Sequence, residues 1–179
     1  MTSIAILDTI GLVYDGSTLQ KRGLGGSESA VILLSRELAK IGFDVTVYNN
    51  CEDSKAAPGV YDGVRYRPLR ECAGAVHDIV ISSRTVIPFC PKHYFDGFTN
   101  HPAPFESYES INKTAKLKIL WMHDTFCIGD PLVEELVMNG YIHEIFTLSD
   151  FHTAYITNCD HGRRRNFEVL KNKIFITRN

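Results

Sequence analysis

The chain has 179 residues, 44% hydrophobic and 22% charged, with a formal charge of -2 at pH 7. This suits one soluble domain with a real core and excludes a disordered chain. The near-neutral balance also excludes a general attraction to nucleic acid or to anionic membranes, and no apolar run reaches transmembrane length.

Met1-Thr2-Ser3 runs straight into Ile4-Ala5-Ile6-Leu7, read as a first strand with no signal peptide before it. From Asp8 to Leu24 the chain is long and polar, with Gly11, Asp15, Gly16 and the basic pair Lys21-Arg22, which predicts a mobile, functional loop. Gly23-Leu24-Gly25-Gly26-Ser27-Glu28 then opens a helix with Ser27 as its N-cap, and Gly42 ends it in the left-handed position. Ala30, Leu34, Leu38 and Ile41 recur at helical spacing and predict the buried stripe, with Ser29, Arg36 and Lys40 on the wet side. Asp44 to Tyr48 alternates and is β-branched, so strand, helix and strand form a right-handed βαβ unit.

Backbone amides at such a helix start, with the helix dipole behind them, suit phosphate or another anion. Glycine before a helix is also ordinary turn chemistry. A dinucleotide fingerprint is excluded, because its third glycine would fall at Glu28 and the first strand ends far upstream, near Leu7.

Beyond Asn50 the chain is polar through Asp62-Gly63, and Val64-Arg65-Tyr66 reads as a short edge strand. Asp78 to Ser83 has the pattern of a buried parallel strand. Pro88 to Ser110 is aromatic and proline-punctuated and predicts mostly irregular chain. Leu117 to Met122 is a strand that delivers His123-Asp124 at its carboxyl end, where open α/β sheets bind ligands. Pro131 to Met138 predicts a helix, Glu144 to Leu148 a strand, Ser149-Asp150 the cap of a helix through Ile156, Phe167 to Leu170 a helical turn, and Lys173 to Thr177 a last strand. The alternation implies an α/β fold, a three-layer Rossmann-like domain with a mainly parallel sheet.

Cys51, Cys72, Cys90, Cys127 and Cys159 are odd in number and lack metal or redox spacing, which predicts reduced thiols in a cytosolic protein. Arg163-Arg164-Arg165 reads as a solvated basic face, and Asn112-Lys113-Thr114 carries no weight as a glycosylation acceptor without a secretory signal. No compact carboxylate or Cys/His ligand cluster occurs, so no metal is expected.

The segment from Gly25 to Tyr48 resembles the start of retaining glycosyltransferases of GT-B fold, especially family 4, where a double glycine and a Glu two residues later precede a helix and a strand. Leu120-Trp121-Met122-His123-Asp124 is similar to that family's strand ending in histidine, Leu148-Ser149-Asp150-Phe151 to its serine-started helix, and Lys173 to Asn179 to its interdomain sequence. The resemblance implies that residues 1–179 form the amino-terminal, acceptor-side lobe, one half of a GT-B architecture. The carboxy-terminal donor-binding domain is expected outside this chain, which is then either a fragment of a longer enzyme or works with another polypeptide, since that domain's pair of glutamates eight positions apart has no counterpart here.

Residue by residue, the resemblance implies that Gly25 and Gly26 approach the donor diphosphate or the reacting sugar through their backbone, beside Ser27. Glu28 either touches substrate or only complements the helix dipole. His123 is implied as the catalytic residue contacting the transferred sugar, and Asp124 as a substrate contact. The implied activity is transfer of a sugar from a nucleotide diphosphate sugar, a co-substrate rather than a cofactor, to a hydroxyl of a sugar, lipid or protein acceptor, with retention. A cytoplasmic location follows, free or peripheral to a membrane, with no nucleic-acid partner. Two alternatives stand beside it: a stand-alone nucleotide-binding module, and a noncatalytic carbohydrate-binding module whose stacking surfaces are the aromatics between Phe89 and Tyr108.

Overall fold

The computed structural model describes residues 1–53, 55–97, 103–124, 132–158 and 167–177. Cys127, Cys159, Phe98, Pro131, Arg163-Arg164-Arg165 and Arg178-Asn179 lie outside them. Strand β1 (Ser3–Leu7) is central, and its alternation decides both faces of the sheet. Ile4 and Ile6 point to one side and Ala5 and Leu7 to the other, all buried, as in a strand covered by helices on both faces.

After β1 comes the short helix α1 (Thr18–Lys21), then α2 (Gly26–Lys40) and β2 (Asp44–Asn49), which lies parallel to β1 with Ile4 opposite Val45. Strands β3 (Gly59–Tyr61) and β4 (Val64–Pro68) form a hairpin on the far side of β2. Its two-residue turn, Asp62-Gly63, holds both residues at positive φ, 50° and 80°, as a right-twisted hairpin requires. The sequence reading has only the second of these strands, although Asp-Gly between two short runs is a hairpin signal.

The chain next crosses to the other side of β1. Strand β5 (Ile79–Ser83) pairs with β1, and after helices α3 (Lys92–Phe95) and α4 (Phe105–Thr114) come β6 (Leu117–Trp121), α5 (Val133–Met138), β7 (Glu144–Thr147), α6 (Asp150–Asn158), α7 (Phe167–Leu170) and β8 (Ile174–Ile176). The eight strands run in the order β3-β4-β2-β1-β5-β6-β7-β8, parallel except for β3 against β4. This is a three-layer, Rossmann-like α/β domain, and its order reverses between β1 and β5. No helix among the described residues is long and apolar enough to cross a membrane.

One face carries α2, with Val31 and Ile32 packed on Ile6, Val47, Ile81 and Ile119. The opposite face carries Tyr108 and Ile111 of α4 and Leu136 of α5 on Leu7, Val80 and Leu120. The described parts of Pro88 to Ser110, residues 88–97 and 103–110, are therefore more regular than their prolines suggest. Pro91 and Pro104 stand just before α3 and α4 in extended conformation, where a missing amide is harmless, and so start helices instead of breaking them.

Helix α2 departs from its reading in two respects. Its N-cap is two residues earlier, at the extended Gly25, so Ser27 lies inside the first turn and makes no capping bond. The buried side is Glu28, Val31, Ile32 and Ser35, whereas Ala30, Leu34 and Leu38 are half-buried and Ile41 is 72% exposed. Gly42 does end the helix at φ 98°. Ser149 caps α6 as expected, its Oγ accepting from His152 N at 3.1 Å.

The segment from Asp8 to Leu24 is anchored rather than loose. Tyr14 is fully buried, its carbonyl accepts from Asn49 Nδ2 at 2.8 Å, and Asp15 Oδ2 accepts from Ala57 N at 3.0 Å. Gly16 passes so close to the hairpin that a Cβ there would stand 2.4 Å from that of Tyr61.

Candidate functional site

The carboxyl ends of β1, β5 and β6 meet the amino end of α2, and each contributes polar chain there. Asp8 follows β1 and is completely buried, while Arg84 follows β5 in left-handed conformation at φ 67°. That backbone suits glycine better than arginine, and it costs roughly 1 to 3 kcal/mol unless the surroundings fix it. Here they do. Arg84 Nη2 donates to Asp8 Oδ1 and to Glu28 Oε1, each at 3.0 Å.

Glu28 is the third residue of α2, 3% exposed, and its Oε1 also accepts from Leu12 N at 3.2 Å. Tyr14 completes the cluster by donating its hydroxyl proton to Asp8 Oδ2 at 2.9 Å. Burial raises the Glu28 pKa, but backbone hydrogen bonds from its own amide and Leu12, with the Arg84 charge, outweigh it and hold the carboxyl below its ordinary value. At Asp8 burial wins over Arg84 and Tyr14, and the carboxyl is raised.

The two carboxylates explain two glycines. A Cβ on Gly11 would fall 2.5 Å from Asp8 Oδ2, and one on Gly25 would fall 2.3 Å from Glu28 Oε2. Gly25 is thus needed by the protein itself. Gly26 is different: it is exposed, has no positive φ, and a Cβ there would meet nothing within 4 Å. Among the described residues neither packing nor backbone conformation requires glycine at that position, so its backbone is left open on the solvent side.

Gly26 and Ser27 open on a cleft of about 750 Å³ whose other wall includes Trp121, His123, Asp124 and Phe146. Its size and mixed lining suit a small-molecule site. His123 is half-buried, its ring 4.1 Å from that of Trp121 at 50°. Burial, with Arg84 and His152 adding to it and Glu28 opposing, pushes its pKa down to about 4, so the imidazole is neutral at pH 7. Its Nε2 is buried and has no hydrogen-bond partner among the described residues.

Thr9 Oγ1, Ser83 Oγ, Arg84 Nε and Trp121 Nε1 are likewise buried without partners, all at the carboxyl ends of the same three strands. Of these residues only Trp121 lines the cleft with His123, and other unpaired buried polar atoms, among them Asn49 Oδ1, His77 Nδ1 and the Tyr108 hydroxyl, lie elsewhere in the fold.

Of the residues singled out from sequence, Gly26, Ser27, His123 and Asp124 share the cleft. Gly25 does not line it and lies against the Glu28 carboxylate instead. Glu28 itself is turned inward to Arg84 and Leu12, so it shapes the loop and does not face the cleft. Asp124 is exposed, and its carbonyl accepts from His152 Nε2. Asp8, Tyr14, Arg84 and Trp121 were missed. A polar residue directly after a strand was the available signal for Asp8 and Arg84; nothing local marks Tyr14 or Trp121.

No group of three or more His, Cys, Asp or Glu side chains able to hold a metal occurs among the described residues. Of the aromatics considered as a stacking surface, Phe89, Phe95 and Tyr108 are at most 5% exposed and belong to the core. No family model, curated protein or solved structure matches the chain.

Proposed function

We propose that the chain is the acceptor-side lobe of a retaining glycosyltransferase, which works with a donor-binding lobe on further polypeptide to move a sugar from a nucleotide diphosphate sugar to a hydroxyl. The observation that carries this reading is the shared cleft of Gly26 and His123. A glycine that no contact among the described residues requires stands at the start of a 15-residue helix, in one cleft with a neutral histidine whose Nε2 has no partner among those residues. The ordered resemblance from Gly25 to Asn179 supports the same assignment.

The roles follow from the chemistry of each group. Free amides in the first turn of α2, backed by the helix dipole, stabilise the negative charge that gathers on the diphosphate as its bond to the anomeric carbon breaks. His123, which lines the cleft, is the side chain that contacts the transferred sugar. The acceptor oxygen bonds to the anomeric carbon on the face the diphosphate leaves, and the acceptor proton passes to the departing phosphate oxygen. Asp8, Arg84 and Glu28 hold the walls in register without touching substrate.

Titration of the chain with a panel of nucleotide diphosphate sugars, followed by amide chemical shifts, tests the reading. Weak binding with shifts gathered at Gly26, Ser27 and His123 is expected from a lobe that supplies one wall. Micromolar binding, about -8 kcal/mol, or shifts confined to another surface would overturn it. In the two-lobed enzyme, His123→Ala should slow turnover on the order of 100-fold while leaving the unfolding midpoint in place.

A further inference from the structure

We propose that a second ligand site lies on the opposite face of β6, a cleft that takes a small monocarboxylate with an apolar tail and holds it by the Lys118 ammonium. Side chains alternate along a strand, so Lys118 and Leu120 face α4 while Ile119 and Trp121 face α2. Lys118 is also near the start of β6, roughly 10 Å along the strand from Trp121. The two clefts therefore share a strand and no lining residue.

This second cleft has a volume of about 560 Å³, and Phe89, Pro91, Phe105 and Tyr141 form apolar parts of its wall. Its charges differ in one respect that selects the ligand. Lys92 is paired with Asp96 at 2.8 Å and Lys113 with Glu109 at 3.1 Å. Lys118 is half-buried and has no carboxylate within ion-pair reach among the described residues; its Nζ lies 5.8 Å above the Tyr141 ring.

The Lys118 ammonium is partly shielded from water with no counter-ion beside it, and that partial burial alone lowers its pKa. Glu106 is exposed at the rim and has no part in that shift. A carboxylate entering the cleft supplies the missing counter-charge, and the aromatic wall buries the tail. A cation would meet Lys118 with like charge, and a dianion would bury more charge than one ammonium offsets.

Octanoate is the probe, with butyrate and octylammonium as controls, titrated into the chain by calorimetry. Octanoate is expected to bind saturably, butyrate more weakly, and octylammonium not at all. Lys118→Met keeps the apolar stem and should lower octanoate affinity by about tenfold or more. A measurement on the unaltered chain stands beside the variant: acetylation with peptide mapping should show octanoate protecting Lys118 but not Lys116, which is already paired with Asp78 at 2.8 Å. No binding at about 10 mM octanoate, equal binding by Lys118→Met, or protection at other lysines instead would each overturn the site.

Discussion

Arg84 Nη2 and Glu28 Oε1 lie 3.0 Å apart, tying the turn after β5 to the first turn of α2 across 56 residues of sequence. The same nitrogen holds Asp8, so one guanidinium fixes three chain segments at the mouth of the cleft. Arg84→Met would leave two buried carboxylates facing each other without a cation. It is expected to lower unfolding free energy by about 3 to 5 kcal/mol, read from denaturant melts. Glu28→Gln keeps one acceptor oxygen and should lose about 1 to 3 kcal/mol. An Arg84→Met protein with a wild-type midpoint would show that the pairing is not what holds the mouth together.

The adjacent glycines should respond with opposite signs. At Gly25 an added Cβ meets Glu28 Oε2 at 2.3 Å, and that carboxylate is already committed to Arg84 and Leu12. Gly25→Ala is therefore expected to destabilise by about 1 to 3 kcal/mol. At Gly26 a Cβ has open space, so Gly26→Ala should stabilise by about 0.4 to 1 kcal/mol through the unfolded chain while weakening any ligand that approaches that backbone. Paired thermal melts decide it, and equal shifts of one sign would refute the distinction.

Acid should weaken the fold before the carboxylates titrate. His123, pushed down to about 4 by burial, has a folded pKa below its ordinary 6.5, and burial lowers His77 and His143 in the same direction. Between those values the unfolded chain binds protons that the native chain refuses, so stability falls as pH drops from about 7 toward 4. Asp8, whose carboxyl is raised, works in the opposite direction. The His123 share is on the order of 1 to 3 kcal/mol by pH 4, and His123→Gln should flatten that part of the curve. A variant with the same slope as the parent would remove His123 from this account.

Cys51, Cys72 and Cys90 should resist alkylation in the native state. All three are buried free thiols, and burial pushes their pKa values up to about 11, 12 and 12. The reactive thiolate is thus scarce at pH 8 and shielded where it forms. Iodoacetamide followed by peptide mapping should leave these positions unmodified until denaturant is added. Rapid native labelling at any one of them would contradict its burial.

The strand positions other than β3, the helix end at Gly42 and the cap at Ser149 were legible in the sequence because each depends on neighbours within a few residues. The cleft position of His123 was legible too, since a residue that directly follows a strand in a parallel sheet stands at its carboxyl end. The rotation of α2 was not. Its apolar residues allow more than one buried stripe, and the packed one runs through Glu28, Val31, Ile32 and Ser35, with Val31 and Ile32 in the core and Glu28 on Arg84.

Nor did spacing distinguish Gly25 from Gly26, or mark Asp8 and Arg84 as partners 76 residues apart. Local alternation and capping act through bonds between near neighbours and are written into the order of residues. Which buried charge meets which, and which glycine has space beyond it, exists only once β1, β5 and α2 have been brought together, because a charge buried at the end of one strand finds its counter-charge only on another segment.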